Sequence, residues 1–219
     1  MSTLIQALHL ASLGDGERPM EPAMALALTV GFGGVDPWHE QFVALGQAHA
    51  AAAGWACLSF LPSAGRLVNQ WVAYDTDAVD NGTPILALRH ADAITTIDWP
   101  AAYRRYQTAV HATSEDCGAT QDEAAAAPLL LDVRRAGVFE KAATTIPGAR
   151  WCDPATIDAW ASTLEPGREV VVYCVYGHEV GRTTAMRLRA AGLNARYLRG
   201  GIDAWQAAGK PLTPKGDAS

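Results

Sequence analysis

The stretch YCVYGHEVGR, residues 173–182, surrounds one nucleophile with the residue types that activate cysteines. Cys174 ends an apolar run, and a loop containing Gly177 and Gly181 follows before a predicted helix. Unpaired amides at a helix start lower the pKa of a nearby thiol, which increases its thiolate fraction. Two glycines let such a loop curl until several N–H groups point at one centre. The pattern predicts a nucleophilic sulfur in an anion-binding cradle, suited to attack on sulfur or on a tetrahedral oxyanion.

A structural role for Cys174 is the alternative interpretation. Unpaired cysteine is among the most deeply buried residue types, and a strand end is an ordinary place for one. Position on the strand alone favours neither role. The two flanking glycines favour the reactive one.

The elements that position this corner alternate between strands and helices. Apolar runs predict the strands PLLLDV, REVVVYC and ARYLRGG, and amphipathic stretches predict the helices DPATIDAWASTL, RTTAMRLRAAGL and IDAWQAAG. Further upstream, AITTI is predicted as a strand, WPAAYRRYQTAV as a helix, and the polar residues 111–128 as a surface excursion. This alternation predicts an α/β fold with a parallel sheet and helices on both faces. Sites in such sheets form at the carboxyl ends of strands, where Asp132 and Cys174 both fall.

A smaller N-terminal α/β region is predicted over residues 1–91, with a helical cap as the alternative. Its predicted elements are a strand MALALTV, a turn GFGG, a helix from Pro37 to Ala53 with Asp36 as N-cap, a strand WACLSFL, and one or two further strands over residues 66–88. The contribution of this region to function is open.

Composition excludes several classes of partner. The 219 residues carry a net charge of -6 and no basic run, which argues against nucleic acid and anionic membranes as partners. The N-terminus lacks the positive start of a secretory signal, and the most apolar run, Pro22–Val35, is shorter than the roughly 20 residues of a membrane span. We expect a cytoplasmic protein. Four widely spaced cysteines without a CxxC pair argue against a metal site and disulfides, and no cofactor is expected.

Four motifs, in order, resemble those of the rhodanese family over residues 92–215. They are LLLDVRRAGVF, TIPGAR, VVVYCVYGHEVGR and YLRGGIDAWQAAGKPL. The active loop looks most like that of rhodanese-like proteins associated with bacterial chromate-resistance clusters. The resemblance implies a rhodanese-like fold for this domain and a sulfurtransferase activity. Cys174 would accept a sulfane sulfur from a donor such as thiosulfate, hold it as a persulfide, and pass it to cyanide or a thiol; a protein acceptor is an open alternative.

The resemblance also assigns roles to other residues. Asp132 and Arg134 correspond to the first motif and would support the site, whereas Gly201 and Trp205 belong to a structural signature. The loop amides would bind the substrate. Together with the start of the following helix, the expected substrate-binding residues are Val175, Tyr176, Gly177, His178, Glu179, Val180, Gly181 and Arg182.

The loop departs from the family pattern in its charge and its length. Glu179 stands where common single-domain rhodaneses carry an arginine, and the displaced helix pattern predicts a seven-residue loop, Cys174–Val180. Rhodanese-fold phosphatases and arsenate reductases have loops of this length, but they end in an arginine where this chain has Val180. A thiol-dependent oxyanion enzyme is therefore the alternative function, and a sulfur or anion sensor is a third hypothesis.

Several neighbouring side chains admit two interpretations. Arg182 could turn toward the site or be a solvated surface residue; His178 could carry protons or be an exposed loop residue. Tyr176 could wall the pocket or pack on the first domain. Because Glu179 would repel an anion, we expect it to point out of the cradle or to pair with Arg182 or another arginine. Cys152 could be a second redox thiol or a buried structural one, and Cys117 is expected to be the most exposed cysteine.

Overall fold

The computed structural model of the protein describes residues 4–14, 18–74, 81–89 and 96–215. The chain divides into two compact units, Met1–Pro62 with Arg66–Ala109, and Ser63–Gly65 with Val110–Ser219. The division falls within one helix, α4 (Trp99–Ser114), which confirms the helix predicted from WPAAYRRYQTAV. A domain boundary after residue 91 stays a prediction, since residues 90–95 lie outside the described ranges.

The N-terminal unit is built on a three-stranded antiparallel sheet with strand order β2-β1-β3. The strand predicted from WACLSFL is confirmed as β1, and the strands predicted over residues 66–88 are confirmed as β2 and β3. The elements of this unit ahead of α4 are α1 (Leu4–Ser12), α2 (Pro22–Phe32), α3 (Val35–Ala48), β1 (Gly54–Leu61), β2 (Arg66–Ala73) and β3 (Thr83–Leu88).

The strand predicted from MALALTV is wrong, because these residues form helix α2. An unbroken apolar run fits a buried helix as well as a buried strand, and the flanking residues decide. Pro22 opens the helix, and Gly33 closes it at a φ of 87°, with its N–H donating to the Thr29 carbonyl. Of the predicted turn GFGG, only Gly33 and Gly34 lie between the two helices, and Gly34 is already the N-cap of α3. Helix α3 therefore begins at Val35 without Asp36 as its cap, and it ends at Ala48.

The C-terminal unit contains a five-stranded sheet of order β4-β9-β8-β5-β7, in which every neighbouring pair is parallel. Helices flank this sheet, which confirms the predicted α/β architecture with a parallel sheet. A two-stranded antiparallel ladder, β6 with β10, lies apart from it. The remaining elements are β4 (Gly118–Ala119), α5 (Gln121–Ala126), β5 (Leu130–Asp132), α6 (Ala136–Lys141), β6 (Thr144–Thr145), β7 (Arg150–Trp151), α7 (Ile157–Ala161), β8 (Glu169–Tyr173), α8 (Glu179–Ala190), β9 (Asn194–Leu198), α9 (Gly201–Ala207) and β10 (Thr213–Pro214).

The surface excursion predicted over residues 111–128 is wrong in part, because this stretch supplies the edge strand β4. Gly118 and Ala119 are buried and pair with β9, and α5 follows them. A two-residue strand is too short to show a periodicity, so no pattern of residues indicates it. The strand predicted from AITTI falls mostly outside the described residues; Ile97 forms an isolated antiparallel bridge with Leu13.

The core of the C-terminal unit lies between the sheet and its helices. Trp205 is part of this core, as the sequence predicts, and its indole N–H donates to the Pro211 carbonyl over 2.8 Å. Among the described residues, no helix is long and apolar enough to cross a membrane.

A capping box fixes the start of α5 next to the edge strand. Thr120 accepts from the Glu123 N–H, and the Glu123 carboxylate accepts from the Thr120 N–H. Such a box satisfies two backbone donors, and loss of a cap costs about 1 kcal/mol. We expect Thr120→Ala to accelerate amide hydrogen exchange in α5 about fivefold, as that free energy implies.

The matched control is Thr156→Ala. Thr156 is also an N-cap threonine, at the start of α7, but its side chain makes no capping hydrogen bond. Its replacement should leave exchange in α7 unchanged. Equal effects of the two substitutions would contradict the role of the capping box.

Candidate active site

Cys174 directly follows β8, the central strand of the five-stranded sheet, and is 6% exposed. Asp132 ends the neighbouring strand β5 and pairs in register with Tyr173. Both residues therefore lie at the carboxyl ends of parallel strands, as the sequence predicts. This is the edge at which parallel sheets build their sites.

Four backbone N–H groups converge on the Cys174 sulfur. They come from Tyr176, Gly177 and His178 in the loop and from Gly181 in the first turn of α8. Helix α8 begins at Glu179, with His178 as its N-cap. The last two residues of the predicted seven-residue loop, Glu179 and Val180, are therefore helical.

Burial raises the pKa of the Cys174 thiol, and the four N–H donors oppose that rise without cancelling it. The prediction of a lowered pKa is therefore wrong. It counted the amides at the helix start and left out the cost of placing a charge in a site that water barely reaches. The thiolate forms at higher pH than the sequence implied, and it forms facing donors that are already aligned.

Hydrogen bonds behind the loop aim two of these donors. The Val175 carbonyl accepts from the Asp203 N–H over 3.0 Å, and the Gly177 carbonyl accepts from Arg182 Nε over 2.9 Å. In a trans peptide the C=O and the next residue's N–H point in opposite directions. Holding the Val175 and Gly177 carbonyls outward therefore turns the N–H groups of Tyr176 and His178 toward the sulfur.

Glycines stand where the active loop and the start of α9 approach each other closely. The Cys174 carbonyl accepts from the Ile202 N–H over 3.0 Å, so the start of α9 lies directly against the loop. A Cβ on Gly201 would collide with the carbonyl oxygens of Cys174 and Val175. Gly177 has a φ of 67°, and a Cβ there would lie 2.6 Å from the Gly200 nitrogen. The predicted structural signature at 200–205 thus acts as the support of the active loop.

Arg182 is 11% exposed and lies behind the loop, so the interpretation as a solvated surface residue is wrong. Besides the Gly177 carbonyl, it donates from Nη1 to Ser114 Oγ at 3.0 Å and Glu115 Oε2 at 3.2 Å. Its guanidinium stacks on the Tyr197 ring at 4.3 Å. These partners hold the cation at the back of the cradle.

Glu179 is 5% exposed and faces His111, whose Nε2 lies 3.9 Å from its carboxylate. Of the arrangements predicted for Glu179, the pairing with Arg182 is not the one observed, because Arg182 bonds Glu115. Burial and the charge of Arg182 lower the pKa of His111, while Glu179 raises it. Sequence reasoning missed His111, since a lone histidine near a predicted helix end gives no signal.

Two exposed rings border the loop on its solvent side. Tyr176 is 56% exposed, and its ring centroid lies 5.8 Å from that of His178. His178 is exposed as well, in agreement with one of its two interpretations, and its ring centroid lies 5.5 Å from that of His111. Whether these rings contact a substrate stays a prediction.

A buried carboxylate network fixes the strand ends beneath the site. Asp132 is fully buried and binds Arg134 through several hydrogen bonds, the shortest being 2.5 Å from Nη2 to Oδ2. The Tyr173 hydroxyl donates to Asp132 over 2.9 Å and accepts from the Ile146 N–H. Burial and Asp132 raise the pKa of Tyr173, so its hydroxyl keeps the proton that it donates. These contacts agree with the supporting role expected for Asp132 and Arg134, which stays a prediction.

Cys152 is buried but is not next to Cys174. It follows β7, and β5 lies between β7 and β8 in the sheet. Two strand spacings place the backbones about 10 Å apart, whereas a disulfide needs Cα atoms within about 7 Å. All four cysteines are unpaired, and Cys117 is the one that is not buried, as predicted. Within the described ranges no three His, Cys, Asp or Glu side chains come together as metal ligands.

Comparison with known proteins places the site within a recognised domain. The profile of the rhodanese-like domain family matches residues 114–208. Superoxide dismutase (Fe) from Cupriavidus metallidurans is 38% identical over 87 residues, which cover 40% of this chain and 44% of that protein. The matched stretch thus spans less than half the length of this curated relative.

Solved structures resemble only part of the chain. A probable thiosulfate sulfurtransferase is 32% identical with a TM-score of 0.40, over 47% of this chain and 50% of its own. A protein of unknown function from Rhodopseudomonas palustris, described as a possible tyrosine phosphatase, is 22% identical with a TM-score of 0.42. That match covers 48% of this chain and 92% of the other.

Gly181 tests how tightly the cradle fits the sulfur. A Cβ at this helical position would lie 3.2 Å from Cys174 Sγ. Gly181→Ala should therefore slow alkylation of Cys174 about tenfold, since overpacking costs on the order of 1–3 kcal/mol. Alanine is a better helix former than glycine, so any fall in the thermal midpoint of unfolding would come from crowding against the sulfur.

Gly137→Ala in α6 is the control, because a Cβ there meets nothing within 4 Å. The rate is read by mass spectrometry of the peptide that contains residue 174. A wild-type rate of Cys174 alkylation in Gly181→Ala would contradict a tight fit of the cradle around the sulfur.

Proposed function

We propose that this chain, which belongs to the rhodanese family through residues 114–208, is a sulfurtransferase that carries sulfur on Cys174. The family supports sulfurtransferase or related activity. The finer proposal is that Cys174 takes a sulfane sulfur from a donor such as thiosulfate, holds it as a persulfide, and delivers it to a thiophilic acceptor.

The transfer consists of two displacements on sulfur. The Cys174 thiolate attacks the outer sulfur of thiosulfate; a new S–S bond forms, the bond to the sulfonate sulfur breaks, and sulfite leaves with that electron pair. Cyanide or a thiolate acceptor then attacks the outer sulfur of the persulfide. The acceptor leaves as thiocyanate or as a new persulfide, and the Cys174 thiolate is regenerated. No external oxidant or reductant is needed.

The convergence of four backbone N–H groups on the Cys174 sulfur carries the proposal. Both the thiolate and the persulfide place negative charge on sulfur within this loop, and fixed N–H donors stabilise such charge without reorganising. Four donors around one small anion form a nest of the kind that backbone amides build. The site thus suits an anionic sulfur as the species that it holds between the two steps.

The observed positions of Arg182 and Cys152 favour sulfur transfer over oxyanion chemistry. Phosphoryl transfer depends on cations that neutralise the moving phosphate, whereas the Nε and Nη1 groups of Arg182 are bonded behind the loop. Thiol-dependent reduction of arsenate or chromate needs a second thiol within reach, and Cys152 lies two strands away from Cys174.

The proposed partners are a small-molecule sulfur donor and a small thiol or cyanide as acceptor. A protein acceptor would use the same chemistry, because its thiolate would attack the same outer sulfur. The proposal involves no nucleic acid, in keeping with the net charge of -6.

Intact mass after thiosulfate treatment tests the proposed function. We expect the wild type to gain the mass of one sulfur atom and Cys174→Ser to gain none, because the persulfide forms on that thiol. Subsequent cyanide should remove the added mass and release thiocyanate.

Cys152→Ser provides the control that separates the two chemistries. It should take up sulfur as the wild type does, since Cys152 has no part in the two displacements. A wild-type protein that alkylates at Cys174 yet gains no sulfur would overturn the proposal. Reduction of arsenate or chromate that is lost in Cys152→Ser would support the oxyanion alternative instead.

A further inference from the structure

We propose that Arg182 is a positioning residue for the reacting sulfur, which it reaches through the Gly177–His178 peptide. In this arrangement the guanidinium binds the carbonyl side of the peptide, and the N–H side binds Cys174 Sγ. The inference rests on the proposed function for its role in sulfur transfer. Its effect on the reactivity of Cys174 can be measured without any sulfur donor.

Arg182 and the Cys174 sulfur bind opposite sides of one peptide unit. Arg182 Nε donates to the Gly177 carbonyl over 2.9 Å, and the His178 N–H of the same peptide unit donates to the sulfur. The described residues contain no cis peptide, so the two polar groups of this unit point in opposite directions. Rotation of the peptide would break both hydrogen bonds together. Arg182 therefore fixes the direction of a donor that it does not touch.

The charge of Arg182 also strengthens the hydrogen bond that the His178 N–H donates to the sulfur. A hydrogen bond from a charged guanidinium is stronger than one from a neutral donor. A carbonyl that is polarised on one side makes the N–H on the other side a better donor, because neighbouring hydrogen bonds in a low-dielectric site reinforce each other. The positive charge thus favours the thiolate through the Gly177–His178 peptide, without direct contact between the guanidinium and the sulfur.

The Arg182 side chain is itself held rigidly by its other contacts. Nη1 binds Ser114 and Glu115, and the guanidinium plane lies over Tyr197. A planar fork can bind the loop with Nε while Nη1 holds the end of α4, which the single ammonium of a lysine cannot do. The side chain is therefore held in place before any substrate arrives.

Other titratable groups surround this connection and must be considered in a pH experiment. Glu115 binds Arg182, Tyr197 lies under it, and His111 is affected by its charge. Glu179 and His178 both lie close to His111. Because all of these groups remain in each variant below, differences between variants report the change at position 182.

The experiment is the pH dependence of Cys174 alkylation by iodoacetamide in the full chain, followed by peptide mass. We expect Arg182→Met to lower the rate at pH 7 about tenfold, the scale of one hydrogen bond to a charged group. The midpoint of its profile should move to higher pH. Arg182→Lys keeps the charge but not the fork, so it should lie between Arg182→Met and the wild type.

Arg189→Met is the matched control. Arg189 is an exposed arginine on the same helix and donates to the Ala195 carbonyl near the helix end. In Arg189→Met, Cys174 should be alkylated at the wild-type rate across the whole pH range. Thermal unfolding of each variant shows whether it is folded. Loss of packing alone would expose Cys174 and move the midpoint of the alkylation profile to lower pH, opposite to the expected shift.

A folded Arg182→Met with the wild-type profile would overturn the inference. If Arg182→Met does not fold, a wild-type profile in Arg182→Lys does the same. Thiosulfate treatment of the same samples keeps the two claims distinct. Failure of the wild type to gain sulfur counts against the proposed function, while the alkylation profiles still decide the role of Arg182.

Discussion

The hydrogen bonds that hold the Cys174 loop from behind are the constraint on which the site depends. A short loop without secondary structure of its own would lose its curled form to entropy unless its carbonyls had fixed partners. Helix α9 supplies N–H groups for the carbonyls of Cys174 and Val175, and Arg182 supplies the third contact, at Gly177. The N–H groups that face the sulfur are therefore aligned in the resting protein.

The sheet beneath the loop turns this local arrangement into a property of the domain. Tyr173, the last residue of β8, pairs with Asp132, and its hydroxyl also binds that carboxylate. Asp132 in turn binds Arg134, so the ends of β5 and β8 share one buried hydrogen-bond network. Removing one member of such a network leaves a buried charge without its partner, which is costly. This network therefore fixes the position of the loop around the Cys174 sulfur.

Local patterns in the sequence predicted the strand end, the position of Cys174 at it and the glycines of the loop, because each depends on neighbouring residues. The prediction of α2 as a strand was wrong since an unbroken apolar run has no distinctive period. The partners of Glu179 and Arg182 could not be foreseen, because His111 and Glu115 lie more than sixty residues earlier in the chain. The thiol pKa was misjudged for a related reason, since it depends on burial that only the folded chain defines.

The most direct test of this account is the amide NMR spectrum of the folded chain as Cys174 changes from thiol to thiolate. We expect the amide protons of Tyr176, Gly177, His178 and Gly181 to move downfield together, because all four donate to the sulfur that becomes charged. The amide of Gly137, on α6, should stay in place. Ionisation of Cys174 without a shared response of the four amides would contradict the claim that a backbone cradle holds the reacting sulfur.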